Sequence, residues 1–241
     1  MPKLHDAWTV LPHGPLHEID EGILTVAGDI PMPLGNFPRR MTVIGLARKR
    51  TAIFSAIALP EPQMQRIEAL GQPVFLIVPN PAHRLDAKSW KERYPKIEVV
   101  APPGARKDVE EAVPVDDMQG EFGDAKVDFV AVAGTKERES ALIVRRPSGT
   151  TLIVNDIIGH VRHPRGLGAK LMARLFGFGV HGPRIPRPVA SKLVEDKPAL
   201  ARQLRGWAEL PDLKRIIVSH GEPIADNPAG VLARIAEGLE A

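Results

Sequence analysis

No cysteine occurs in the chain, which excludes disulfides, thiolate zinc sites and cysteine nucleophiles together. Aromatic residues are scarce at 5%, with a single tyrosine, so the core has to be aliphatic. No apolar run approaches the roughly 20 residues of a membrane-spanning helix. The opening MPKLHDAWTV lacks the apolar centre of a secretory signal, and the cytoplasm is the expected location. There is no Walker sequence and no Gly-x-Ser-x-Gly elbow. Gly166-x-Gly168 lacks the preceding strand and third glycine of a dinucleotide-binding turn.

What is present fits a globular protein of one large or two small domains: 241 residues, 44% hydrophobic and 25% charged. The 24 prolines imply many short elements joined by stiff loops. The net charge of +3 is unevenly placed, because seven Lys or Arg and no acid lie between Asp156 and Glu195. Such a basic surface attracts anionic partners, or is simply a solvated face. Residues 1–20 carry His5, His13 and His17 without a period and read as a loosely held N-terminal arm. Residues 21–241 read as a single domain with a basic helical insert at 159–192.

The clearest element is the apolar run Val74, Phe75, Leu76, Ile77, Val78, which fits a strand buried on both faces. Pro79 and Pro81 stop it. Residues 87–94 follow as a helix with Trp90 and Tyr94 at i,i+4, and 97–101 as a second strand. This is a βαβ unit with parallel strands. Upstream, 22–27 reads as a strand, 41–47 and 51–58 as an antiparallel hairpin around Arg48-Lys49-Arg50, and 60–70 as a helix. Downstream, strands are expected at 127–132, 140–146, 150–154 and 213–218. Helices are expected at 107–113, 167–176, 189–209 and 228–239. In the first of the last three, Leu167, Leu171, Met172 and Leu175 share a face, which needs something apolar to bury against. Each half of the chain follows the same plan of hairpin, helix and parallel strand. The expected fold is therefore a four-layer αββα sandwich of two mixed β-sheets.

Metal-capable side chains follow three of the strands: Asn80, His83 and Asp86 after 74–78, Asp156 after 150–154, and His220 after 213–218. Imidazole with carboxylate suits zinc, iron or manganese. Asp86 also stands where it would cap the 87–94 helix. His160 and His163 belong to the basic segment. Ser219 is a poor nucleophile for His220, since neighbours on a strand point opposite ways.

With these pieces in hand, the chain resembles the metallo-β-lactamase-like superfamily over most of residues 20–240. The resemblance rests on TAIFSAIALPE, FLIVPNPAHRLDAKSW, TLIVNDIIGHV and RIIVSHGEPI. It implies the same sandwich, a metal site at His83, Asp86, Asp156 and His220, and hydrolysis. Three departures stand out. The first ligand loop, His-x-His-x-Asp-His in the family, keeps only His83 and Asp86, with Asn80 at an expected histidine. The Gly-His-Thr turn appears as Ala133-Gly134-Thr135-Lys136. Ser55 replaces an aspartate. The chain therefore resembles a subgroup with degenerate motifs.

Two readings stay open. One is a hydrolase with one metal (zinc, or iron or manganese) held by His83, Asp156 and His220, with help from Asp86 or His160. It would act on an anionic ester, thioester or phosphoester, with the basic segment as a lid over the site. The other is a metal-free, inactive member that binds a small molecule or a protein. A peripheral membrane or nucleic-acid binder has the least support, since only Phe176 and Phe178 interleave the basic residues. No nucleic acid is expected as a partner.

Overall fold

The computed structural model describes residues 4–32, 35–164 and 166–240. Strand β1 (His17–Asp20) leads into β2 (Ile23–Ile30), β3 (Phe37–Leu46) and β4 (Arg50–Phe54), each antiparallel to the last. Helix α1 (Glu61–Leu70) and α2 (Ala87–Arg93) then connect β4, β5 (Gln72–Ile77) and β6 (Glu98–Val100) as parallel neighbours. These six strands form one mixed sheet in sequence order. The second mixed sheet has the order β10-β9-β8-β7, from β7 (Val127–Ala131), β8 (Ser140–Arg146), β9 (Gly149–His160) and β10 (Leu213–Gly221).

Three buried clusters define the layers. Ile44, Ala52, Phe54, Ile77, Leu142, Val144, Ile153 and Ile217 meet between the sheets. Trp90, Met64, Ile67, Val99 and Val109 lie under α1, α2 and the single turn α3 (Arg106–Val109), outside the first sheet. On the far side, α6 (Lys197–Ala208) and α7 (Pro228–Glu240) cover the second sheet through Leu200, Leu204, Trp207, Leu232 and Ile235. The expected αββα sandwich is what forms. Alternation explains it: successive strand residues face opposite sides, so Leu152 and Val154 turn to the helices while Ile153 turns to the other sheet.

Several expectations need correction. Residues 4–20 are docked, not loose: Trp8 donates its indole N–H to the Leu59 carbonyl (2.9 Å) and stacks 5.4 Å from Trp90. His13 bridges to Gly28, and β1 extends the sheet. The stretch 189–209 is two helices, α5 (Arg187–Lys192) and α6, because Asp196 caps α6 by accepting from the Ala199 N–H (2.9 Å). The helix expected at 107–113 is shorter, and β9 and β10 run past Asp156 and His220. A bulge explains the longer strands. Val154 pairs with Val218 and Gly159 with His220, so four residues of β9 oppose Ser219 alone before the ladder resumes.

Phe54 fills the layer between the sheets directly before Ser55, 1% exposed. Phe54→Ala is expected to lower unfolding free energy by about 3–5 kcal/mol, read as a lower urea midpoint. A loss under about 1 kcal/mol would mean the layer collapses around the hole.

Candidate metal centre

Three sequence-distant segments converge at one edge of the two sheets. A short 3-10 turn, Pro81–His83, follows β5, and Asn80 caps it by accepting from the Ala82 N–H (2.8 Å). This fixes His83. The β9 bulge carries Asp156, and β10 carries His220. Among the described residues the converging metal-capable group is His83, Asp156 and His220, one ligand atom from each lying within 4.8 Å of the others. His83 Nε2 is 3.1 Å from Asp156 Oδ1 and 3.2 Å from His220 Nε2. His220 Nε2 is 2.8 Å from the same carboxylate oxygen. The sequence argument for Asp156 and His220 was that parallel neighbours end at one edge, and β9 and β10 are parallel neighbours.

The partners behind this group set its protons. His220 Nδ1 lies 2.7 Å from the Pro38 carbonyl, which can only accept, so Nδ1 bears hydrogen. In neutral His220 the Nε2 lone pair then faces Asp156. His83 Nδ1 meets Ser55 Oγ at 2.7 Å. Ser55 holds left-handed backbone (φ 56°) at the end of β4, a strained placement for a non-glycine residue that brings its hydroxyl to the imidazole. The second carboxylate oxygen of Asp156 accepts from Asn80 Nδ2 (2.7 Å), which also donates to Glu139 Oε2 (3.1 Å). Glu139 is wholly buried and its Oε1 accepts from the Ile157 N–H (2.8 Å), pinning the bulge.

Electrostatics follow from this wiring. Burial pushes the Asp156 carboxyl up, but the charges and hydrogen bonds of His83 and His220 outweigh it and hold the group well below the usual carboxylate range. Burial lowers His220, yet its hydrogen bond to and attraction by Asp156 raise it overall. For His83 burial prevails and its pKa falls. Burial and repulsion from Asp156 raise Glu139 well above the ordinary glutamate.

Asp86, expected as a ligand or a helix cap, is neither placed with this group nor capping. It occupies the N-cap position of α2 without a side-chain cap bond. Its buried carboxylate is instead engaged by the Arg39 guanidinium and by His5 Nδ1 (2.9 Å). His160 is buried with Nδ1 on the Glu222 carbonyl (2.8 Å), and exposed His163 meets the Glu222 carboxylate (3.1 Å); neither joins the three. In the Gly134 turn there is no room for a side chain, since a Cβ there would lie 2.2 Å from the Asp196 carbonyl oxygen. Sequence reasoning missed Glu139 as a network member, because Glu137-Arg138-Glu139 reads as a solvated turn before β8.

Two imidazole nitrogens and a carboxylate oxygen aimed at one point suit a shared cation, a metal ion or a proton. Tetrahedral zinc at about 2.0–2.2 Å from each ligand would space the ligand atoms by roughly 3.4 Å, close to the separations seen. His83, Asp156 and His220 therefore fit a single metal ion, and the Ser55, Pro38 and Asn80 contacts are the outer bonds that such ligands use to fix tautomer and orientation.

A cavity of about 1140 Å³ opens onto these residues. Its walls are mainly apolar, among them Ile30, Phe37, Met172, Phe176, Phe178 and Val189. Phe37 stands 4.6 Å from the His220 ring and 5.0 Å from Phe178. The basic segment is the roof, as expected: α4 (Leu167–Leu175) and α5 lie over the site. Backbone bonds strap it to β9, from Val161 N–H to the Phe178 carbonyl (2.8 Å) and between Gly159 and Arg184. The helix is rotated from the expected face, however. Met172, Ala173 and Phe176 line the cavity, while Leu171 and Leu175 are 66% and 54% exposed; the side chain of Leu167 lies outside the described residues.

No family model and no curated protein matches the chain in sequence. Solved structures do match in fold. A metallo-β-lactamase from Hirschia baltica superposes at TM-score 0.60 and 13% identity, covering 93% of this chain and 98% of its own. One from Erythrobacter litoralis, with β-mercaptoethanol in the active site, gives 0.63 and 13% over 92% and 96%. The mono-zinc form of FIM-1 from Pseudomonas aeruginosa gives 0.62 and 12% over 96% and 98%. The protein has the metallo-β-lactamase fold.

Asn80 Nδ2 donates to both Asp156 Oδ2 and Glu139 Oε2 in this buried network. Asn80→Ala is expected to cost about 1–3 kcal/mol in thermal or urea unfolding, through the loss of a donor to two buried carboxylates. An unchanged midpoint would show that the two carboxylates do not depend on it.

Proposed function

We propose that the protein is a hydrolase that works with one metal ion on an ester or thioester whose acyl part is apolar. The observation that carries this reading is the convergence of His83 Nε2, Asp156 Oδ1 and His220 Nε2 beneath a largely apolar cavity. A zinc, iron or manganese ion held there would supply Lewis acidity and bring the pKa of a water toward ~7. His83 and His220 present neutral imidazoles once His220 gives up its Nε2 proton. Asp156 supplies the negative charge, oriented by Asn80. Ser55 and the Pro38 carbonyl hold the rings in the productive tautomer. Phe37 and Phe178 keep bulk water from the reacting edge and favour an apolar substituent.

A single ion is favoured over two because Asp86 is occupied by Arg39 and Glu139 by Asn80 and the Ile157 N–H, which leaves the three converging residues as the metal-capable group among the described residues. The anionic substrate suggested by the basic segment finds less support. Arg39 is the one Lys or Arg among the described residues that line the cavity.

A metal-free binding module is the second reading, favoured by the 2.8 Å approach of His220 to Asp156, an ion-pair distance that a proton alone can sustain. Elemental analysis of protein purified without chelator or nickel resin separates the two. About one zinc, iron or manganese per chain is expected, with hydrolysis of p-nitrophenyl esters or thioesters. Asp156→Ala should lose both while keeping its circular dichroism, and Ser55→Ala should weaken metal binding about 10–100-fold. Metal-free, inactive wild-type protein that gains no activity on metal addition would leave the binding module.

A further inference from the structure

We propose that the outer face of the roof docks on an anionic lipid surface, and that the cavity beneath it receives an alkyl chain from that surface. Four large apolar side chains are prominently exposed among the described residues: Val10, Met32, Leu171 and Leu175. Met32 lines the cavity, Val10 is the chain neighbour of the lining residue Leu11, and the two leucines project from α4, whose opposite face is the cavity roof. The loop before β3 abuts the same helix, since a Cβ on Gly35 would lie 2.9 Å from the Ala169 nitrogen. The exposed apolar groups are thus continuous with the apolar interior.

The charge around them selects the partner. Residues 157–194 contain seven Lys or Arg and no Asp or Glu. Arg162, Lys170, Arg174, Arg184, Arg187 and Lys192 are all exposed. Two acids border this segment: Glu222, engaged by His163 and by the Arg162 N–H (3.0 Å), and Asp29, which accepts from Asn36 Nδ2 (3.4 Å). Leucines at i,i+4 flanked by Lys170 and Arg174 form a short interfacial helix: apolar tips enter the acyl boundary while cations meet anionic headgroups. Neutral protein partners would not need the predominantly basic rim, and a second copy of the same face would be repelled by it.

The inference rests on the hydrolase reading only for the cavity's role, and the test keeps the two apart. Wild-type protein is floated with phosphatidylcholine vesicles with and without about one third phosphatidylglycerol. Binding is expected with the anionic vesicles, falling steeply with salt. Leu171→Glu/Leu175→Glu should lower the partition coefficient at least about tenfold while leaving metal content and turnover of a short soluble ester unchanged. Asp156→Ala should show the reverse pattern. Equal binding to neutral and anionic vesicles, no binding to either, or a concentration-dependent dimer that the double substitution dissolves would each overturn the proposal.

Discussion

The carboxylate of Asp156 is the point on which the arrangement depends. It reaches the turn that follows β5 of the first sheet, through His83 and Asn80, and β10 of its own sheet, through His220. A buried carboxylate left without partners is too costly to keep ionised. The convergence of an imidazole pair and an amide on it is therefore a condition of its being there. The same condition explains Glu139. A second buried acid so close to Asp156 is tolerated because Asn80 stands between the two and because burial and repulsion favour its neutral form. The β9 bulge exists to serve this point, giving up several ladder bonds so that Asp156 turns toward the first sheet while Ile157 N–H returns to Glu139.

Most of the fold was legible because it is written in periodicity. The Val74–Val78 run, the hairpin around Arg48-Lys49-Arg50 and the 3.6-residue spacing of Met64 and Ile67 each specify a burial pattern that one layer of the sandwich satisfies. Asp156 and His220 were legible for the same reason: both follow apolar runs that become parallel neighbours. Asp86 was misread because a helix-capping position says nothing about which distant residue reaches it, and Arg39 lies on a strand 47 positions away. The N-terminal arm was misread likewise. Trp8 is a lone aromatic in a polar stretch, and only the surface of Trp90 gives it a place. On α4 the spacing correctly gave an amphipathic helix. Which side faces inward depends on distant parts of the cavity wall such as Ile30 and Phe37, and no pattern within nine residues could encode that.

The Arg39–Asp86 pair deserves a physical reading of its own. Burying both charges costs more than a surface pair returns, and only the direct contact, with His5 as a further partner, makes it tolerable. Its effect is to supply a fixed cation to a carboxylate that would otherwise seek a mobile one. That leaves Asp86 outside the group of His83, Asp156 and His220. It also places a positive charge that adds a small push to the lowering of His83, which burial dominates. Asn80 gives a neutral donor to Asp156, Ser55 meets His83 through its hydroxyl, and Arg39 neutralises Asp86. Together these contacts leave the converging atoms of His83, Asp156 and His220 at the edge of a largely apolar cavity.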